Sequence, residues 1–256
     1  MAIPAWTASV GPLVRADLRQ RYAGSRLGSA WALIAPLIEV GAYVLVFGWL
    51  ARPAGGPDGL GFAAFVAAGL LPWSALREAL DGSAAALVEN RWIRRSRVPL
   101  ELLVARAALA SVARGALGVL LVLAWALWQG AAPGLAGWLL PPLALCLQVA
   151  ACYGLGLALA PLAALHPDLR PGLTSSLTLL TFASPILIPE SALPGAVLTA
   201  MEWNPFTHLL RLYRLPLAAG GVGFGDVSVA LATPLALLAA GVALKQRWFW
   251  AARDRL

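Results

Sequence analysis

Long apolar stretches alternate with short polar ones along the whole chain. Six stretches stand out, at about 31–50, 62–80, 102–128, 138–164, 172–188 and 227–248. A helix needs roughly 20 residues to cross ~30 Å of hydrocarbon, so each stretch predicts a spanning helix, the fifth being the shortest. Three polar segments carry more than a connection. In 13–26, LVRADLRQRYAGSR, the residues Val14, Leu18 and Tyr22 repeat every four positions and Leu13 joins them, while Arg15, Asp17, Arg19, Gln20 and Arg21 fill the rest. That pattern predicts an amphipathic helix lying in the cytoplasmic interface. In 88–101, VENRWIRRSRVPLE, arginines surround Trp92 and Ile93, and Pro99 ends the segment. In 189–221, Pro189 and Pro194 open the segment and Asn204-Pro205 splits it; its apolar halves, 195–203 and 206–219, are too short to cross. Two short helices dipping in from the outer side and returning fit it. No internal repeat or linker divides the chain. The expectation is one all-α integral membrane domain over 1–256, with an interface segment at 1–30, six spans within 31–248 and a tail at 249–256.

Composition strengthens this. The chain is 60% hydrophobic and 12% charged, with a mean hydropathy of +0.77. Soluble domains carry about 25% charged residues, so a water-coated globule is excluded, as are disorder, a disulfide scaffold and a collagen-like chain. The net charge is +7. With the N-terminus inside, inner segments hold 13 Lys or Arg and outer segments 3, which places both termini in the cytoplasm. The charge therefore reads as a topology signal, with anionic lipid as its counterpart and no nucleic acid. Trp31, Trp92, Trp248 and Trp250 fall near the inner boundary; Trp49, Trp125, Trp128, Trp138 and Trp203 fall near the outer one. Indole favours that depth because one edge is polar. Residues 1–30 do not read as a secretory signal, because the arginines precede any long apolar run.

Little in the sequence suggests catalysis. The single lysine, Lys245, is followed by Gln246, so there is no P-loop. Cys146 and Cys152 face about 120° apart on a helix, which argues against a mutual disulfide. No Cys/His group has metal-ligand spacing. The chain is thus expected to have no catalytic residues, no metal and no cofactor of its own.

Charge inside the spans is the unusual feature. Glu39 lies mid-span, and an exposed carboxylate there costs a few kcal/mol. Tyr43 follows one turn on. Arg114, deep in the third span, is its expected partner, whereas Arg106 lies near the inner end. Two readings stand: an interhelical ion pair that fixes packing, or a polar wall along a transport path. Pro72 breaks the hydrogen-bond ladder of the second span, and Trp73 either fills the resulting kink or faces the path. His208, Arg211 and Arg214 recur every three residues, as a solvated face or as an outer gate.

The run from Arg15 to Trp31, RADLRQRYAGSRLGSAW, with Pro36 after it, resembles the opening signature of the permeases of ABC polysaccharide exporters, the family that includes O-antigen, capsule and teichoic-acid exporters. Leu71-Pro72-Trp73, Glu89-Asn90-Arg91, Val98-Pro99, Ser184-Pro185-Ile186 and Asn204-Pro205-Phe206 match further parts in order. The chain departs from the pattern where Ala16 splits the usual Arg-Asp pair, and where Val98-Pro99 replaces the commoner Phe-Pro.

The resemblance implies a half-transporter of the bacterial inner membrane. Two copies would pair with two cytosolic ATPase subunits, which hold ATP and Mg, and would export a lipid-linked glycan, on an undecaprenyl-diphosphate-type carrier, through a channel between the copies. On this reading Glu89, Asn90, Arg91, Trp92, Ile93, Arg94, Arg95 and Arg97 form the ATPase-coupling loop. Arg15, Arg19, Arg21 and Arg26 receive the carrier diphosphate, for which the planar guanidinium is suited, or simply attract anionic lipid. Glu39, Tyr43, Phe47, Trp49, Trp73 and Arg114 line the path, and Asn204, Pro205, His208, Arg211 and Arg214 form the outer gate. The rival readings are export of a small molecule or lipid by the same kind of permease and, with only one central acidic residue to serve it, an ion-coupled transporter.

Overall fold

A computed structural model describes residues 24–50, 60–89, 98–130, 133–217 and 222–255. The side chain of Trp49 and those of a few other helix residues fall outside that description. So do Arg15, Arg19, Arg21 and the amphipathic helix expected over 13–23, and Asn90, Arg91, Trp92, Ile93, Arg94, Arg95 and Arg97 of the expected coupling loop.

The described residues are all-helical, without strands. The α-helices are α1 (Trp31–Leu50), α2 (Leu60–Ala85), α3 (Leu100–Ala110), α4 (Val112–Trp128), α5 (Leu135–Leu165), α6 (Leu169–Phe182), α7 (Gly195–Glu202), α8 (Pro205–Arg214) and α9 (Phe224–Arg255). Short 3-10 turns occupy Gly28–Ala30, Glu190–Ala192 and Leu215–Leu217.

Among the described residues, three stretches are long and apolar enough to cross a membrane: Leu100–Trp128, Leu135–Leu165 and Phe224–Ala252. Helices also occupy the other three expected positions. Helix α1 is 20 residues long and carries a single charged residue, Glu39. Helix α2 is 26 residues long but carries Arg77, Glu78 and Asp81. Helix α6 has 14 residues and a row of hydroxyls.

Helix α2 runs on to Ala85 and α9 to Arg255, past the expected 80 and 248 and into the expected tail. Two other differences have a local cause. The third stretch is interrupted at Ser111, whose hydroxyl donates to the Ala108 carbonyl at 2.8 Å. The helix of the fifth stretch, α6, stops at Phe182 rather than 188, because Pro185 supplies no N–H to continue it. Two short helices, α7 and α8, occupy the expected positions. Asn204 separates them: its Oδ1 accepts from the Phe206 amide at 3.0 Å, with Pro205 at the first helical position.

Helix α2 is the hub. It packs against α1, α3, α4, α5, α6 and α8, and its Val66, Leu70 and Leu71 are fully buried against Ile186, Leu210 and Leu212. Pro72 sits inside it, and the Pro72 carbonyl accepts from Gln148 Nε2 of α5 at 2.8 Å. Gln148 Oε1 in turn accepts from Tyr213 Oη of α8 at 3.1 Å, so this buried chain of polar groups is satisfied.

The most extensive helix pair is α5 with α9. It is built on glycine. A Cβ at Gly241 would stand 2.0 Å from the Gly154 carbonyl oxygen, and one at Gly154 would stand 2.6 Å from the Leu237 backbone. Helices that lack a hydrophobic drive between them gain dispersion contact by this close approach.

Gly241→Val should therefore force the pair apart. Overpacking of about 1–3 kcal/mol predicts a thermal midpoint in detergent lower by roughly 2–12 °C. Gly225→Ala, on the same helix with open space around it, should leave the midpoint unchanged. Equal midpoints for Gly241→Val and the parent chain would refute the close-packing account.

Candidate functional site

The residues Ser74, Arg77, Glu78 and Asp81 follow the spacing i, i+3, i+4, i+7, which puts them on one face of α2. That face looks into a cavity of about 470 Å³ whose other walls are Glu39 of α1, Arg114 of α4, and Leu173, Thr174 and Leu177 of α6. Helices that are otherwise apolar thus enclose a charged cleft.

Arg114 organises it. Its Nη1 lies 3.3 Å from Glu39 Oε2, and its Nε lies 3.3 Å from Glu78 Oε2. One guanidinium ties carboxylates from two other helices, with all three side chains between a fifth and a third exposed. At the far end of the cleft, Asp81 pairs with Arg170 of α6 at 3.5 Å, and Arg170 also reaches Glu89 at 3.3 Å. Thr174 and Thr178 give their hydroxyl protons to carbonyls one turn back, at 3.1 and 2.9 Å, which spares them an unpaired donor while keeping oxygen on the surface. Tyr43 and Phe47 continue the Glu39 face of α1, stacked with centroids 6.1 Å apart. The cleft can offer carboxylate acceptors, guanidinium donors and an aromatic continuation to a polar, hydroxyl-bearing cargo.

Of the expected path residues, the structure brings Glu39 and Arg114 into direct contact and sets Tyr43 and Phe47 beside them. Trp73 is a correction. It is 2% exposed, its Nε1 donates to Thr181 Oγ1 at 2.7 Å, and its ring meets Phe206 at 4.8 Å. It fills the Pro72 region of the core and faces no passage.

The expected outer-gate residues also divide. His208 Nδ1 is 2.7 Å from Asp226 Oδ1, and Arg211 Nη1 is 2.8 Å from the same oxygen. Arg211 grips Glu190 through Nε at 3.1 Å and Nη2 at 2.8 Å. The Glu190 bonds above all, and the Asp226 bond after them, raise the Arg211 pKa above its ordinary value against the opposing effect of burial. Asn204 Nδ2 donates to Ser184 Oγ at 2.7 Å, tying the α7–α8 turn to the end of α6. The expectation of one shared face fails for Arg214. Six residues on a helix turn it about 120° from His208, and it points into the core instead. There it bonds the Pro185 carbonyl at 2.5 Å and the Ile186 carbonyl at 2.6 Å, with its guanidinium 3.6 Å over the Phe65 ring. Gly69 is open for it, since a Cβ there would come within 2.8 Å of Nη2.

Of the arginines expected to meet a carrier, Arg26 is described, and it is exposed just ahead of α1. Glu89 is the one described member of the expected coupling loop. Ser74, Arg77, Glu78, Asp81, Thr174 and Arg170 escape a reading that ends the second span at 80 and weighs each charge alone. Their signal is the heptad-like spacing of polar residues within an apolar helix.

Comparison with known proteins agrees with a transport role. Residues 10–217 match the family described as ABC-2 type transporter. The chain is similar to the O-antigen export system permease protein RfbA of Myxococcus xanthus, 29% identical over 231 residues that cover 86% of each chain. It is similar to the polysialic acid transport protein KpsM of Escherichia coli, 26% identical over 85% of this chain and 84% of that one. It also resembles RfbA of Klebsiella pneumoniae, 21% identical over 89% and 87%.

The double role of Arg114 makes an asymmetry testable. Arg114→Gln removes both contacts at once and should cost about 1–3 kcal/mol. Glu39→Gln should cost less, because Arg114 keeps Glu78. Thermal unfolding in one detergent compares them, and a larger loss from Glu39→Gln would refute the bridging role.

Proposed function

We propose that this chain, which belongs to the ABC-2 type transporter family, is the membrane subunit of an ATP-driven exporter that carries a lipid-linked polysaccharide across the bacterial inner membrane. The charged cleft between α1, α2, α4 and α6 is the observation that carries this reading. Desolvating that many charges is costly in an apolar bundle unless water or a polar cargo occupies the space. The printed names of the relatives, O-antigen export and polysialic acid transport, favour a glycan as that cargo.

Two copies form the channel on this reading. Helix α6 leaves Thr174, Ser175, Ser176 and Thr178 exposed, and α1 leaves Leu37, Ile38, Leu45 and Val46 exposed. Hydroxyls facing lipid would gain nothing, whereas a second copy would enclose them in a wet passage beside Tyr43 and Phe47; Trp49 is assigned to the same path from the sequence alone. The six helical positions span the membrane with both termini in the cytoplasm, and α7 and α8 dip in from the outer side. His208 and Arg211, with the Asn204-Pro205 turn, gate the exit. The segment 89–97 docks a cytosolic ATPase subunit, present in two copies, which binds ATP and Mg; the chain itself binds neither. Arg15, Arg19, Arg21 and Arg26 receive the diphosphate of an undecaprenyl-type carrier.

Depletion of the chain in its host tests this. Lipid-linked glycan should accumulate in the cytoplasm while the cell surface becomes bare. An unchanged surface polysaccharide, in a host without a redundant exporter, would overturn the proposal. In the restored strain, Glu39→Gln should reduce export at normal protein level, and Trp92→Ala combined with Arg94→Ala should abolish it without loss of membrane insertion.

A further inference from the structure

Two guanidiniums line the cleft, and they are used differently. Arg114 commits Nη1 to Glu39 and Nε to Glu78. Arg77 is half-buried and makes no hydrogen bond and no ion pair among the described residues. None of its nitrogens is buried without a partner, so its donors open onto the space of the cleft. Asp81 stands one turn on, at the i, i+4 spacing where opposite charges on a helix usually pair. It pairs instead with Arg170 of α6, at 3.5 Å, and keeps 54% of its side chain exposed. A donor and an acceptor thus stand side by side on one face of α2 without closing on each other.

The other polar groups around them can only accept. Ser74 gives its hydroxyl proton to the Leu71 carbonyl at 3.0 Å, and Thr174, on the facing wall, gives its own to the Arg170 carbonyl at 3.1 Å. Both hydroxyls keep lone pairs alone for a ligand. A phosphate or carboxylate would satisfy Arg77 but would face those lone pairs, in a cleft lined by three carboxylates and two guanidiniums. An ammonium would suit the carboxylates and leave Arg77 unmatched. A hydroxyl both donates and accepts, so a neutral polyol satisfies the whole set. Leu173 and Leu177 of the same cleft offer an apolar wall to the C–H faces of a sugar ring.

We propose that Arg77 and Asp81 form a subsite for an uncharged sugar residue, Arg77 donating to one hydroxyl oxygen and Asp81 accepting the proton of a neighbouring hydroxyl. The proposal rests on the transport reading above for the cargo being a glycan, and it adds that the segment held in the cleft is neutral.

Binding of small probes to the full chain in phospholipid nanodiscs tests it, read by saturation-transfer NMR titration at about 0.15 M salt, where loose attraction between exposed charges is screened. The probes are a glucose tetrasaccharide, which is neutral, and a galacturonic acid tetrasaccharide, which carries a carboxylate on every ring. The parent chain should bind the neutral probe about tenfold more tightly, and inorganic pyrophosphate, which accepts only, should not displace it. Arg77→Met and Asp81→Ala should each weaken the neutral probe about tenfold, the effect of one lost bond to a charged group. Arg77→Lys, which keeps the charge without the planar fork, should weaken it about threefold and serves if Arg77→Met does not fold. In a Cys146→Ser background, Cys152, 2% exposed, should stay unreactive to maleimide in every folded variant. Equal or tighter binding of the acidic probe, lost in Arg77→Met, would overturn the neutral class and make Arg77 an anion site. Neutral-probe binding that neither folded variant changes, or none by the parent chain, would overturn the subsite. The transport reading fails separately, when depletion leaves the surface polysaccharide unchanged while the neutral probe still binds at Arg77.

Discussion

One cation between two carboxylates holds the charged part of this bundle together. Arg114 of α4 meets Glu39 of α1 and Glu78 of α2 at 3.3 Å each. Any one of these charges alone would be expensive between apolar helices. Together they fix how α1 and α4 sit against the hub helix, and they fix the cavity that lies between them. Arg77 brings a second guanidinium to the same cleft. The side chains of Glu39, Glu78 and Arg114 are partly exposed, so water can reach the pairs. The same constraint therefore positions three helices and keeps the space between them wet.

Elsewhere the bundle removes polar groups from view. The carbonyl of Pro72, the amide of Gln148 and the phenol of Tyr213 form one buried chain across α2, α5 and α8. Trp73 and Thr181 satisfy one another between α2 and α6. Arg214 supplies donors to the carbonyls of Pro185 and Ile186, where a proline turn cannot complete a helix. It fits only because Gly69 leaves room. A buried cation is costly, and here the cost is offset by bonds to two carbonyls and by the face of Phe65. These contacts explain why the segment between α6 and α7 keeps its shape.

Apolar periodicity made the helices legible, and turn chemistry made the α7–α8 break legible, because Asn204-Pro205 is both a cap and a stop. The Glu39–Arg114 contact was legible too, since a mid-span carboxylate needs a cation and few were on offer. What spacing leaves open is which way a side chain turns. His208 and Arg214 share a short helix, yet one faces Asp226 and the other the core, a difference of tertiary packing rather than pattern. Trp73 is an aromatic beside a proline, and that fits a pathway as well as a core until Thr181 and Phe206 are seen around it. The polar stripe of α2 was readable in principle, but it emerges only when Ser74, Arg77, Glu78 and Asp81 are projected together onto the helix.

The two kinds of contact divide the molecule by function. Helices α5 and α9 meet through Gly154 and Gly241 with backbone against backbone. Such an interface cannot slide or open without losing many dispersion contacts at once. Around the cleft, partly exposed polar contacts add to the apolar packing of α1 and α6 on α2: one guanidinium to α1, one divided guanidinium between α2 and α6. At the opposite end of the bundle, Arg211 and His208 converge on Asp226 at the start of α9, anchoring the α7–α8 hairpin to the rigid pair. Breaking an ion pair whose members rehydrate costs little compared with separating close-packed glycines.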